Sequence, residues 1–143
     1  MKQLTIIFVV MFTLILLSDN SFAQDEGHYY SITTWKLRVP ADGSNAELNE
    51  LFKEWYEKVT TKNDKILSQK VLVHRSGPDM RDWVIVSEYA TWNDIDAAND
   101  AQNKLVDEGW PNKEDRKKFF DKFWKYVFTH SDEILQEKPE LTK

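Results

Sequence analysis

Between Asp82 and Asp94 the hydrophobic pattern of this chain changes once. Trp83 to Tyr89 holds β-branched and aromatic residues with no Gly or Pro, so it favours a pleated strand. Trp83, Ile85, Ser87 and Tyr89 share one face, and Val84, Val86, Glu88 and Ala90 the other. Both faces are largely apolar, which suits a central strand covered on both sides. Thr91 then offers a hydroxyl N-cap and Asp94 a reciprocal acceptor, predicting a helix over 93–108 that folds back on the same sheet. Its apolar stripe is weak: Ile95, Ala98, Leu105 and Val106. Gly109 is the expected C′ residue, and Pro111 blocks continuation.

Upstream, His28 to Leu37 alternates as a more polar strand. Tyr29, Ser31, Thr33, Trp35 and Leu37 lie on one face, and Tyr30, Ile32, Thr34 and Lys36 on the other, so one face is expected to meet a wet cavity. Pro40 to Gly43 stops it. Ser44 and Glu47 predict a capping box, followed by Leu48, Leu51, Phe52, Trp55, Tyr56 and Val59 at helical spacing. Burying those side chains is worth on the order of 10 kcal/mol of gross transfer energy, ample to dock a helix on a sheet. Ile66 to His74 reads as a strand, and Arg75-Ser76-Gly77-Pro78-Asp79 as the turn of an antiparallel hairpin with the central strand. Downstream, Asn112 caps a third helix with Asp115 at the matching position, and Phe119, Phe120, Phe123, Trp124, Val127 and Phe128 form its aromatic stripe. His130 to Glu137 reads as a short last strand, with a continuation of the third helix as the rival, and Pro139 ends either one.

The first residues stand apart from this pattern. Lys2 precedes an apolar run from Leu4 to Leu17, and Ser21-Phe22-Ala23 places small residues at the usual minus-three and minus-one positions. This predicts a signal peptide over 1–23 cleaved after Ala23, with an exported, periplasmic or secreted domain over 24–143. An uncleaved N-terminal anchor is the rival, though the run is short of the ~20 residues that span a bilayer. The absence of cysteine excludes disulfides and a lipid-modified N-terminal cysteine. A net charge of −5 without a basic cluster argues against nucleic-acid binding. All six tryptophans follow the signal peptide, which implies a sizeable core and room for an aromatic-lined cavity.

The element order is βαββαβ with an additional helix before the last strand, hence an α+β, ferredoxin-like domain. With the aromatic strand Tyr29 to Leu37, the run Val84-Ile85-Val86-Ser87-Glu88-Tyr89-Ala90-Thr91-Trp92-Asn93-Asp94 and the tail His130-Ser131-Asp132-Glu133-Ile134, the chain resembles the dimeric α/β-barrel superfamily. The resemblance implies a homodimer in which two sheets pack face to face and a small molecule binds between sheet and helices. Its members include cofactor-independent monooxygenases, haem-degrading enzymes, haem peroxidases and proteins of no known reaction. A sheet with helices on one side leaves the other face open, and tyrosine, tryptophan and valine are expected there. The haem-degrading branch uses an asparagine on the first strand, a sheet tryptophan and a histidine on the second helix. Trp83 matches the tryptophan, but the first strand has no asparagine and Asn93 to Glu108 has no histidine.

Candidate chemistry is sparse. His28, His74 and His130 show no metal-binding spacing, and the topology places His28 at the opposite end of the sheet from the other two. His74 and His130 share an end but sit on the outer strands, ~14 Å apart. No metal and no cofactor is expected. Glu88 is an acid in an apolar strand; burial would raise its pKa and suit it to proton transfer, whereas pairing with Lys36 or Lys70 would make it structural. Glu88, Tyr89 and His74 are thus the candidate catalytic residues, and Trp35, Trp83 and Tyr30 the candidate ligand contacts. The acidic residues Asp94, Asp96, Asp100, Asp107 and Glu108 lack the spacing of a calcium loop and read as a solvated face. The sequence therefore reads as an exported homodimer that binds a small apolar or aromatic molecule with no assigned reaction. The alternative is a cofactor-independent monooxygenase or isomerase, and a third reading is a purely structural or interaction role in the periplasm.

Overall fold

A computed structural model of the protein describes residues 27–77 and 79–143. The predicted signal peptide, its cleavage point after Ala23 and the turn residue Pro78 lie outside the described residues. The elements, in order, are β1 (Tyr29–Leu37), α1 (Asn45–Lys58), a 3-10 turn (Thr60–Lys62), β2 (Ser68–Val73), β3 (Asp82–Tyr89), α2 (Trp92–Gly109), α3 (Lys113–Tyr126), β4 (Val127–Gln136) and a final 3-10 turn (Pro139–Leu141). The strands form one sheet in the order β2-β3-β1-β4, with every neighbouring pair antiparallel. This α+β arrangement is the one the periodicity predicts, with α3 as the added helix.

Register decides what each face carries. Trp35 lies opposite Trp83 in the β1–β3 pair, and Tyr30 opposite Glu88. Trp35 meets Phe123 of α3 edge-on at 5.6 Å, and Phe52 of α1 lies 4.8 Å from Trp83. The helices therefore cover the face of Tyr29, Ser31, Thr33, Trp35, Trp83, Ile85, Ser87 and Tyr89. The open face carries Tyr30, Ile32, Thr34, Val84, Val86, Leu72 and Leu135. Tyrosine and valine are there as expected, but the tryptophans are not, because the rings of α1 and α3 need large partners and take them.

The core lies between the helices and this sheet: Leu37, Leu48, Leu51, Val59, Trp110, Phe119 and Tyr126 form one buried cluster. Trp110, the C-cap of α2, sits at its centre. Its ring centroid is 4.4 Å from that of Phe119 and its indole N–H donates to Glu54 at 3.0 Å. Lys58 Nζ lies 4.5 Å from the same ring. Three residues of the expected apolar stripes are instead exposed, Tyr56 and Trp124 at 49% each and Phe128 at 60%.

The caps also differ in detail. Thr91 and Asp94 form the full reciprocal box. Asn112 Oδ1 accepts from the N–H groups of Glu114 and Asp115. Ser44 accepts from the Glu47 N–H at 3.1 Å, but the return bond is absent: Ser44 N–H donates to the hydroxyl of Tyr126, which in turn donates to Glu47 at 2.5 Å. A tertiary contact thus replaces the local one. Gly109 is the last helical residue rather than a left-handed C′ residue, and its φ is not positive. Finally, β4 begins at Val127, so Val127 and Phe128 are strand residues rather than helical ones.

Candidate functional site

The best-formed polar cluster lies at one end of the open sheet face, where β1 begins and β3 ends. Glu88 is on the open face because it alternates with the helix-facing Ser87 and Tyr89. Its Oε1 lies 2.6 Å from His28 Nδ1 and accepts from the Tyr30 hydroxyl at 3.3 Å. Its Oε2 accepts from the Ser68 hydroxyl at 2.5 Å. The cross-strand register makes this cluster: Tyr30 and Ser68 are the partners of Glu88 on the two flanking strands. The Glu137 N–H pairs with the His28 carbonyl at 2.8 Å, and the Glu137 carboxylate accepts from the His28 backbone N–H at 3.3 Å.

The electrostatics follow from the donors. Hydrogen bonds from Ser68 and then His28 hold the Glu88 carboxyl below its ordinary value, outweighing its partial burial. The pKa rise that burial alone would give therefore does not occur. Pairing with lysine does not occur either. Lys36 lies opposite Asp82 and binds Asp79 at 2.5 Å and Asp82 at 3.3 Å, while Lys70 lies opposite Val86. Burial, and then the nearby Glu88 and Glu137 charges, raise the Tyr30 phenol.

The other proposed catalytic residues do not join Glu88. Tyr89 is buried on the helix face, where burial raises its phenol. His74 lies beside Asp82 at the far end of the sheet, its N–H directed at the Asp82 carbonyl. Six residues of β3 separate that point from Glu88, which is roughly 20 Å. Among the described residues, His74 Nδ1 is buried without a hydrogen-bond partner. His130 stacks on Trp35 at 5.0 Å on the outer strand β4, so the three histidines stand apart as the topology implies. No group of His, Asp and Glu side chains among the described residues is placed to hold a metal ion.

Of the expected ligand contacts, Trp35 and Trp83 belong to the sheet–helix packing, and Tyr30 joins the Glu88 cluster. The residues that sequence reasoning missed are His28 and Ser68. The only signal for them was their position at strand ends, which acquires meaning once the register is known. A groove of about 350 Å³ opens beside this cluster, lined by His28, Tyr29, Thr91 and Trp92 among others. Tyr29 and Trp92 meet edge-on there at 5.8 Å. A second groove of about 510 Å³ runs between α1 and α3, lined by Glu47, Glu54, Lys58, Lys118, Lys122 and the Trp110 ring. Its charges are largely paired internally, Glu54 with Lys58 and Glu47 with Lys122.

The sheet order with helices on one face can now be compared with solved structures. A dimeric ferredoxin-like protein from an uncultured marine organism superposes with a TM-score of 0.55, covering 83% of this chain and 95% of the other at 13% identity. A NIPSNAP family protein of unknown function from Agrobacterium tumefaciens also gives 0.55, covering 78% and 89% at 17% identity. SnoaB, a cofactor-independent oxygenase from Streptomyces nogalater, gives 0.52, covering 82% and 99% at 8% identity. The fold is ferredoxin-like. Identities this low speak to fold alone. No protein-family model and no curated protein sequence matches the chain.

Proposed function

We propose that the protein is an exported homodimer that binds a small apolar or aromatic molecule in an α/β barrel formed by two copies. The observation that carries this reading is the open sheet face. Leu72 and Leu135 are about half exposed there, at 50% and 47%, beside Tyr30, Ile32, Val84 and Val86. These side chains form an apolar strip on the central strands, with Lys70 and Glu133 beside it on the edge strands, of a kind that a monomer rarely leaves in water. A second copy, stacked about 10 Å away, covers it symmetrically and leaves the strand ends as the mouth of an enclosed space. The solved structure named dimeric shares this fold, which supports the same assembly here. Export rests on the N-terminal sequence pattern.

Native mass spectrometry of residues 24–143, purified from an exporting host, tests the reading. A dimer is expected, and a dimer carrying an extra small mass would begin to identify the ligand. A clean monomer at micromolar concentration would sink the barrel.

A catalytic reading is the alternative: a cofactor-independent monooxygenase or isomerase acting on a small aromatic or apolar compound. It is favoured by the carboxylate–imidazole–phenol cluster of Glu88, His28 and Tyr30 and by the shared fold with SnoaB. On this reading Glu88→Gln loses turnover while the fold is kept, and unchanged turnover would remove Glu88 from the site.

A further inference from the structure

One cross-strand row of the open face carries opposite charges at its two ends. Lys70 of β2 lies opposite Val86 of β3, Val86 opposite Ile32 of β1, and Ile32 opposite Glu133 of β4. All four point to the same side, because residues opposite one another in a ladder share a face. Lys70 and Glu133 are exposed. Three strand spacings, ~14 Å, separate them, too far to pair within one chain. None of the ion pairs among the described residues uses either one. Along the central strands, Glu88 lies opposite Tyr30 at one end and Asp82 opposite Lys36 at the other.

A second copy stacked on this face is related to the first by a two-fold axis lying between the sheets, and these charges choose its direction. Set across the strands at their midpoint, the axis places β2 over the partner's β2 and β4 over the partner's β4. Glu88 then faces the partner's Asp82, acid on acid. The two copies of Lys70 crowd one edge and the two copies of Glu133 the other, and like charges so juxtaposed oppose association. Set along the strands, between β1 and β3, the axis places each edge over the opposite edge. Lys70 then meets the partner's Glu133, Val86 the partner's Ile32, Asp82 the partner's Lys36 and Glu88 the partner's Tyr30. Sheets stacked ~10 Å apart leave lysine and glutamate side chains long enough to touch.

We infer that the second copy docks on the open face about an axis running along the strands, registered by two symmetric Lys70–Glu133 ion pairs between the copies. This deepens the homodimer reading above and rests on it. It also makes the partner part of the candidate site. The axis keeps the strand ends in place, so both Glu88–Tyr30 clusters line the same mouth of the enclosed space, each Glu88 facing the partner's Tyr30. The Lys36–Asp82 ends line the other mouth.

Analytical ultracentrifugation of protein purified from an exporting host tests the register. Lys70→Glu and Glu133→Lys each turn two attractions per dimer into two repulsions, and each should raise the dimer dissociation constant about tenfold. The double swap restores both pairs with exchanged signs and should return the constant to within about threefold of the wild type. Net charge alone predicts another pattern: on a chain at −5, Lys70→Glu would weaken association and Glu133→Lys would strengthen it. A second measurement needs no variant. Carbodiimide, which joins a carboxylate to an amine only in direct contact, should link Lys70 to Glu133 in the covalent dimer of the wild type. A dimer indifferent to either single variant, a double swap as weak as the singles, or a covalent dimer lacking that link would overturn the register and keep the homodimer. A wild-type monomer would defeat both.

Discussion

Glu88 collects its three hydrogen-bond donors from two separate stretches of the chain, and its ionisation should couple to folding. Its carboxyl is held below the ordinary value of 4.5, so its contribution to stability is fully present above that pH and is lost as pH falls through the lower folded-state value. Urea unfolding followed from about pH 6 downwards should show Glu88→Gln less stable than the wild type at the upper end, with the two curves converging in acid. Parallel curves would mean that the carboxylate contributes nothing through its charge. Tyr126 ties the start of α1 to the end of α3. It is almost fully buried, and its hydroxyl accepts from Ser44 N–H and donates to Glu47. Tyr126→Phe leaves the Ser44 N–H without its acceptor and should cost about 1–3 kcal/mol by chemical denaturation. The same crowding explains Gly43, where an added Cβ would collide with the Tyr126 hydroxyl.

Elements are bounded by different means at their two ends. The starts of α2 and α3 are set locally, by Thr91 with Asp94 and by Asn112. Asn112→Ala should therefore cost about 1 kcal/mol, read as a lower urea midpoint with an unchanged slope. The end of α3 is set by tertiary pairing instead. No Gly or Pro marks the passage from Tyr126 to Val127, and the apolar spacing through Phe128 continues to read as a helix. What stops it is β1: the Tyr126 carbonyl accepts from Arg38 N–H at 2.8 Å, and Val127 pairs with Leu37. Trp110 belongs to the same class of feature. It falls just past α2, outside any helical stripe, yet packs at the centre of the core because α1 and α3 present Trp55 and Phe119 to it.

The whole molecule is organised by a two-sided sheet, helices on one face and an apolar surface on the other. Val86 lies in the middle of that surface, flanked by Ile32 and Lys70. Val86→Lys should leave the helix-side core intact and raise the dimer dissociation constant at least about 100-fold, because a further buried, unpaired charge opposes association by roughly 3 kcal/mol or more. Analytical ultracentrifugation decides the matter, and a variant that remains dimeric at the same concentrations would move the interface elsewhere. The charged cluster of Lys36, Asp79, Asp82 and Arg81 closes the end of the sheet opposite Glu88. The open face is thus polar at both ends, with an apolar strip on its central strands between Lys70 and Glu133 of the edge strands.

The residues alone determined the local features of this chain. Period-two runs give strands at Tyr29–Leu37 and Asp82–Tyr89, period-3.6 runs give helices, and short-range hydroxyl and amide caps mark where the three helices start. Those signals act between residues a few positions apart, so they are written in the order of the residues. Even the ferredoxin-like topology follows from them, since the element order leaves few ways to pair the strands. Tertiary structure decided which sheet face the helices cover, because Trp35 and Trp83 could serve either role until Phe52 and Phe123 met them. It also decided the chemistry of Glu88. Its partners come from residues 20, 58 and 60 positions away, and only the cross-strand register brings a serine, a tyrosine and a histidine to one carboxylate. The same register keeps His74 at the other end of the sheet, where the strand order read from the sequence already placed it relative to His28.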